Sequence, residues 1–267
     1  MTSIDTGQDR PLPGAVKFDA LPPWLFHLRP EVNGALVAWQ AGGSVSSALA
    51  GARSAPAGAD GGPCFVPQHD LLAGDSYDAF IHRSGQVPTR NNLHDLFNGL
   101  IWLAMPALKR RLNALHAAEI AQCYVGAVRG PVRDALTLFD ESGALLHGPP
   151  PLLQALRNLE WPALFITRRA RWAEASLTIV GHALLEKLAT DPRRALTAHM
   201  LLADPLALDA AGWAGKPFAP LSVLGVPAGG RPMSCRISTT ARPFSGHAAF
   251  RLAENPQSKD SAHPCRS

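Results

Sequence analysis

The sequence predicts a mainly helical α+β fold, a single domain with a small antiparallel or mixed sheet. Two observations support this fold class. Apolar residues recur at helical spacing in several segments between residues 77 and 190, and only short β-branched runs such as Thr178-Ile179-Val180 favour strands. A chain of 267 residues, 46% hydrophobic and 17% charged, is long enough to bury a core of this kind.

Composition divides the chain into four segments. Residues 1–40 include a Pro-rich stretch around Trp24, and we expect this segment to pack on the body. Residues 41–63 are rich in Gly, Ala and Ser, so they are expected to form a flexible linker or insertion. Residues 64–227 form the predicted globular domain. Residues 228–267 mix Gly, Pro, Ser and Arg without periodicity, which predicts a loosely ordered tail.

The first elements of the body are three predicted helices. Residues 77–83 favour a short helix that ends at Ser84-Gly85. A second helix opens near Asn92. A third covers residues 107–122, because Pro106 needs no amide partner in a first helical turn. We expect the second and third helices to pack as a pair.

The second half of the body mixes hairpin, helix and strand signals. Residues 134–146 contain two short apolar runs around Asp140-Glu141-Ser142-Gly143, which predicts a hairpin with Gly143 at positive φ. Helical signals cover residues 151–165. Residues 175–180 favour a strand and residues 182–188 a helix, although a single helix over 171–189 remains an alternative. A last strand is predicted over residues 196–203.

Four small polar or ionisable residues share one face of the helix that opens near Asn92. At about 100° per residue they lie within roughly 100° of one another. Such a face suits a ligand pocket, because it offers donors, acceptors and a titratable imidazole: Asn91, His94, Asp95 and Asn98. Asp95 also has a structural explanation, since it can offset the helix dipole behind an Asn92 N-cap. For His94 and Asn98, a pocket and a buried network both remain open.

His182 and Glu186 lie four residues apart on a predicted helix, so both side chains could reach one metal ion. They could equally form a plain hydrogen bond. With His94 they make up the candidate metal site. Imidazole and carboxylate ligands without a thiolate cluster would favour zinc, manganese or iron over copper(I) or an iron–sulfur cluster.

Asp134 is the third candidate catalytic residue, beside His94 and His182. Asp140 has a ready structural role as the first residue of a turn, whereas Asp134 has none. Arg90, Arg129 and Arg133 could form anion-binding forks near Asp134 if the loops converge, so a small polar or anionic ligand is expected.

Several functional classes lose support. The net charge of +4 comes in short basic pieces typical of solvated helix faces, which argues against a nucleic-acid partner. The four cysteines form no C-x-x-C pair, so we expect neither a zinc knuckle nor a disulfide framework. We also expect no secretory signal, no membrane segment and a cytoplasmic location. Serine-hydrolase, P-loop and dinucleotide motifs are absent from the sequence.

Four ordered motifs resemble a bacterial family known as domain of unknown function 3025. The resemblance covers about residues 77–227, and it implies that the His94, Asp134 and His182 segments belong to one domain. The motifs are Gly85-Gln86-Val87-Pro88-Thr89-Arg90-Asn91-Asn92-Leu93-His94-Asp95, Leu112-Asn113-Ala114-Leu115, Arg133-Asp134-Ala135-Leu136-Thr137-Leu138-Phe139-Asp140-Glu141 and Gly181-His182-Ala183-Leu184-Leu185-Glu186-Lys187.

Two functional hypotheses follow. In the first, the polar residues line the cleft of an enzyme, with His94 or His182 as general base and carboxylates as orienting groups or metal ligands, and the chemistry is hydrolysis of a small polar substrate. In the second, the same residues form a buried hydrogen-bond network in a non-catalytic interaction module. The first requires His94 and His182 to lie within about 12 Å, the reach of one ion or small ligand.

Overall fold

The computed structural model describes residues 23–53, 62–122, 130–191 and 196–223. Within them the predicted fold class is confirmed: helices dominate, and the strands form one small mixed sheet and one strand pair. The helices are α1 (Arg29–Gln40), α2 (Val45–Gly51), α3 (Tyr77–Ser84), α4 (Leu93–Ala104), α5 (Pro106–Gln122), α6 (Pro131–Ser142), α7 (Pro150–Arg157), α8 (His182–Thr190) and α9 (Ala210–Ala214). The strands are β1 (Cys64–Pro67), β2 (Gln86–Thr89), β3 (Gly143–His147), β4 (Ser176–Ile179), β5 (Thr197–Leu201) and β6 (Phe218–Ser222).

The mixed sheet has the strand order β4-β3-β5-β6. β3 pairs antiparallel with β4 and parallel with β5, and β5 pairs antiparallel with β6. β1 and β2 pair parallel with each other, and the Thr89 hydroxyl donates to the carbonyl of Val66 at 3.1 Å. β2 therefore leads directly into the polar segment before α4.

Local signals set the ends of the helices around the polar face. The side chain of Asn92 accepts a hydrogen bond from the amide of Asp95 at 2.8 Å, so Asn92 caps α4 as predicted. α3 ends at Gly85, whose φ of 68° lies in the left-handed region that glycine adopts readily. α5 begins at Pro106 and contacts α4, which confirms the predicted pair.

The hairpin predicted over residues 134–146 is wrong. Residues 131–142 form α6, and a strand follows only from Gly143. The buried residues Val132, Ala135, Leu136 and Phe139 follow helical spacing, and this period outweighs the turn-like composition near the end of α6. Gly143 has φ −78° rather than a positive value. Glycine is needed there because a Cβ would lie 2.4 Å from the carbonyl oxygen of Phe139.

The flexible insertion predicted over residues 41–63 contains a helix instead over Val45–Gly51. Ser44 caps α2, and Val45, Ala48 and Leu49 are buried. The helix lies against α4, since a Cβ on Gly99 would meet a Leu49 methyl at 2.1 Å. α2 also packs against α1, so tertiary contacts with two helices stabilise this short helix. Residues 54–61 lie outside the described residues.

The segment before α2 packs on the body through buried aliphatic side chains. A 3-10 helix over Pro23–Leu28 leads into α1, and Leu25, Leu28, Val32 and Ala35 are buried. Residues 1–22 and the predicted tail from residue 228 lie outside the described residues.

The predicted strand at residues 175–180, the helix at 182–188 and the strand at 196–203 are confirmed as β4, α8 and β5, so the alternative single helix over 171–189 is wrong. The helix predicted over 151–165 ends at Arg157, and a π-helical turn follows at Ala163–Thr167. Across the described residues, none of the helices combines the length and apolarity needed to cross a bilayer.

Candidate functional site

A cavity of about 360 Å³ opens among α3, α4, α5, α6 and α8. Most of its lining side chains are polar or ionisable, although the helices that carry them bury apolar faces. The lining residues are Gln68, Leu71, Tyr77, Asp78, Arg90, His94, Asp95, Asn98, His116, Thr137, Asp140, Glu141 and His182. Such a concave polar site between helices is a typical place for a ligand.

His94 and His182 meet in this cavity. His94 lies in the first turn of α4 and His182 is the first residue of α8, and their Nε2 atoms are 2.9 Å apart. The two rings are almost perpendicular, at 81°. The distance is far inside the limit of about 12 Å that one ion or small ligand sets. Either one nitrogen donates its proton to the other, or both lone pairs can face the same ion.

Glu141, near the end of α6, completes a group of three candidate ligands. Its Oε1 lies 3.6 Å from Nε2 of His182. One ligand atom from each of Glu141, His94 and His182 can be chosen so that all three lie within 4.8 Å of one another. Zinc–ligand bonds of about 2.0–2.1 Å at tetrahedral angles separate ligand atoms by about 3.3 Å, so a small adjustment would accommodate the ion.

Glu186 contacts Nδ1 of His94, on the side of the ring opposite the Nε2 atom that faces His182. Its Oε2 is 3.1 Å from Nδ1 of His94, whereas the sequence grouped Glu186 with His182 as a ligand of one ion. A carboxylate at Nδ1 holds the imidazole proton there and leaves the Nε2 lone pair free for a ligand. The hydrogen bond raises the pKa of His94, although burial opposes it, and lowers the pKa of Glu186.

His182 is almost fully buried, at 5% exposed. Burial lowers its pKa to about 4, despite the opposing charge of Asp140, so the imidazole is neutral at pH 7. The Asp140 Oδ2 atom lies 3.8 Å from Nδ1 of His182. Neutral imidazole is the form that binds metal ions.

A buried network supports the cavity from behind. Lys109 is 4% exposed, and its Nζ donates to Asp140 Oδ1 at 2.5 Å and to Asn98 Oδ1 at 2.8 Å. The Asn98 amide in turn donates to the Tyr77 hydroxyl at 3.1 Å. Burial alone would raise the pKa of Asp140, but the charge and the hydrogen bond of Lys109 outweigh it and the pKa is lowered. Asp140 is therefore a partly buried ion-pair partner of Lys109 on a helix, not the turn residue that the sequence predicted.

Asp95 and Arg90 form an ion pair. The Asp95 carboxylate accepts from the backbone amide of Arg90 and from two guanidinium nitrogens, at 2.6–3.2 Å. Asn91 precedes α4, and its side chain accepts from the amide of Val45 at 2.9 Å. The predicted polar face of four residues therefore divides: His94 and Asn98 line the cavity from the helix, Asp95 orients Arg90, and Asn91 anchors α2.

Asp134 and Arg133 are not among the residues that line the cavity. Asp134 lies in the first turn of α6, two turns or about 10 Å before Glu141, and its half-exposed carboxylate forms an ion pair with Lys216. The structure therefore does not bring the predicted catalytic Asp134 together with the two histidines. Arg133 does not join Arg90 in an anion-binding fork.

Several cavity residues were missed in the sequence. Glu141 lies in the last turn of α6, and the buried residues that precede it follow helical spacing. The turn-like residues around Glu141 nevertheless suggested a hairpin. Lys109 was assigned to a solvated basic piece with Arg110 and Arg111. Nothing in the local pattern distinguishes it from its neighbours, because only the tertiary packing buries it. His116 and Asp78 were not singled out either.

The comparison with known protein families gives one match. Residues 64–210 match the model of a family described as Protein of unknown function (DUF3025). All the cavity-lining residues, from Gln68 to His182, fall inside this range. No curated protein and no solved structure matches the chain.

Proposed function

The chain belongs to the DUF3025 family, and we propose that it is an enzyme that hydrolyses a small polar substrate with the help of one divalent metal ion. The ion is bound by His94, His182 and Glu141. The observation that carries the proposal is the 2.9 Å approach of the two imidazole Nε2 atoms beside a carboxylate.

The lowered pKa of His182 favours the neutral ring that binds a metal, whereas the raised pKa values of His94 and Glu141 mean that an ion would displace protons from those two groups. Glu186 holds the proton of His94 on Nδ1, and the lowered pKa of His182 keeps that ring neutral. Each ring can thus present an Nε2 lone pair to the same point, with Glu141 beside them. Burial raises the pKa of Glu141, although His94 opposes it, and a cation bound there would stabilise the charged carboxylate.

Three protein ligands leave a position for water on a four-coordinate ion, as in catalytic zinc sites. A metal ion of this kind lowers the pKa of its bound water and supplies a nucleophile for hydrolysis near neutral pH. None of the cavity-lining residues is a cysteine, so zinc, manganese or iron is favoured over copper(I). In this arrangement both histidines are ligands, and the general-base role considered for them in the sequence falls to another group.

The test is elemental analysis of the purified, untagged protein, followed by assays of the metal-loaded and chelated forms against ester, amide and phosphate-ester substrates. We expect about one divalent ion per chain, and we expect the double variant His94→Ala/His182→Ala to lose it while remaining folded. His69→Ala is the matched control, because His69 is exposed and does not line the cavity. A folded wild-type protein that neither carries nor takes up zinc, manganese or iron would overturn the proposal.

A second candidate is a non-catalytic interaction module in which these residues form a structural network. The observation in its favour is the buried chain Asp140–Lys109–Asn98–Tyr77, whose members contact one another directly. It predicts that His94→Ala destabilises the metal-free protein by about 1–3 kcal/mol, because it leaves partners unsatisfied. Unchanged thermal melting of metal-free His94→Ala and His182→Ala would argue against this candidate.

A further inference from the structure

The charged side chains in and behind the cavity wall differ in whether an oppositely charged side chain contacts them. Arg90 pairs with Asp95, and Lys109, which lies behind the wall, pairs with Asp140. Glu141 belongs to the proposed metal site. Asp78, in the first turn of α3, remains: among the residues that the structure describes, the ionisable side chain nearest its carboxylate in an ion-pair contact is His116, at 3.8 Å.

His116 does not supply the missing positive charge. It is 7% exposed, and burial lowers the pKa of its imidazole even though Asp78 and Asp140 oppose the effect. Arg133 and Lys109, the cations that face it, act in the same direction as burial. The neutral form of the ring is therefore favoured, so His116 offers the Asp78 carboxylate no full positive charge in the cavity.

His116 also has an unsatisfied atom. Its Nδ1 is buried without a hydrogen-bond partner, and it lies 3.8 Å from Asp78 Oδ2, too far for a direct hydrogen bond. A buried polar atom without a partner in a cavity wall calls for an explanation, and a ligand that carries an N–H donor provides one. A group with several N–H donors could contact the carboxylate and this nitrogen together.

We propose that Asp78, with His116 beside it, binds a protonated amine, and that the substrate therefore carries an ammonium group close to the bond that is hydrolysed. This inference rests on the proposed function, because it places the ammonium group in the same cavity as the metal. An ammonium group has three donors and one positive charge, which matches one carboxylate and one neutral acceptor.

Two other ligands suit this part of the cavity less well. An anion would meet Asp78 without a free guanidinium fork, because the Arg90 nitrogens that contact Asp95 are already engaged. A second metal ion would have only Asp78 and His116, since the group of three or more candidate ligands found among the described residues consists of His94, Glu141 and His182.

The test uses paired metal-binding probes and the zinc-loaded full chain. Propionohydroxamate and butyrohydroxamate chelate the metal without a terminal charge, and the hydroxamates of β-alanine and γ-aminobutyrate differ from them by a terminal ammonium group. Calorimetric titration at pH 7 should show that at least one amino probe binds about tenfold more tightly than its partner, the scale of a charge-assisted hydrogen bond. Asp78→Asn and Asp78→Ser should abolish this preference and leave the affinity of the uncharged probes unchanged.

The control is Asp75→Asn, because Asp75 pairs with Arg83 just before α3 and does not line the cavity. It should keep the tenfold preference. If neither kind of probe binds, the metal site and the proposed function fail, and this inference fails with them. If both kinds bind equally to the wild type, or if the preference survives in both Asp78 variants, the amine site is refuted while the metal site stands.

Discussion

Nε2 of His94 and Nε2 of His182 lie 2.9 Å apart, although 88 residues separate the two histidines in the sequence. Glu186 accepts a hydrogen bond from Nδ1 of His94 at 3.1 Å, whereas Asp140 is 3.8 Å from Nδ1 of His182, beyond direct hydrogen-bond distance. A carboxylate at Nδ1 and a free Nε2 atom are the arrangement found where a histidine binds a metal through Nε2, and His94 has this arrangement.

The first prediction separates the roles of Glu141 and Glu186. Glu141→Gln removes a proposed ligand, so zinc affinity should fall by more than about 100-fold. Glu186→Gln removes only the partner of His94 Nδ1 and should cost about 10–100-fold, the usual effect of such outer groups. Competition with a chromophoric chelator measures both. If Glu186→Gln weakens zinc binding more than Glu141→Gln does, the ligand set predicted from the sequence, with Glu186 as the carboxylate, is correct.

The elements that the sequence predicts well are those with strong local signals. Asn92 caps α4 and Pro106 opens α5, and each acts within one turn of its own position. α6 was missed because a turn-like Asp140-Glu141-Ser142-Gly143 ends it, and turn composition was weighed above the helical period. α2 was missed because its small residues gain their burial from Gly99 of another helix, which composition does not reveal.

The candidate site could be predicted only in part, for a related reason. His94 and His182 are recognisable because each shares a helical face with another polar residue four positions on, Asn98 and Glu186 respectively. The proposed third ligand, Glu141, depends on how α6 lies against α8, and spacing along one helix suggested Glu186 instead. Spacing also cannot tell which of two imidazole nitrogens a carboxylate contacts. Ligand identity is here a property of the tertiary packing.

The second prediction concerns the buried pair of Lys109 and Asp140. Lys109→Met should lower the free energy of unfolding by about 3–5 kcal/mol, because it leaves the Asp140 carboxylate without its cation. Adding Asp140→Asn should restore part of the loss, since the remaining side chain is then uncharged. Urea denaturation of the single and double variants measures the effect. Arg110→Met is the control on the neighbouring exposed position, and an equal loss there would mean that burial of Lys109 is not the cause.

The third prediction tests the contact between α2 and α4. Leu49 is fully buried, so Leu49→Ala should destabilise the protein by about 2–5 kcal/mol through lost packing and a residual cavity. Val37→Ala on α1 removes an exposed side chain, 68% accessible, and should change stability by less than about 0.5 kcal/mol. Chemical denaturation of both variants provides the comparison. A flexible insertion at residues 41–53 would make the two substitutions indistinguishable.

The fourth prediction concerns His27, which lies in the 3-10 helix before α1, away from the cavity lining. Burial, partly offset by the backbone of Ile179, lowers the pKa of His27 from its ordinary 6.5 to about 4. Above pH 6.5 the ring is neutral in both the folded and unfolded states and contributes no pH dependence. As the pH falls from 6.5 towards 4, the unfolded chain takes up a proton that the folded chain does not, so stability decreases, by about 2 kcal/mol at pH 5.

The free energy of unfolding, measured by urea denaturation at pH 7 and pH 5, should therefore fall less for His27→Leu than for the wild type, by about 2 kcal/mol. His69→Ala, at an exposed position, should leave the wild-type difference unchanged, and equal slopes for the wild type and His27→Leu would show that His27 titrates normally in the folded protein.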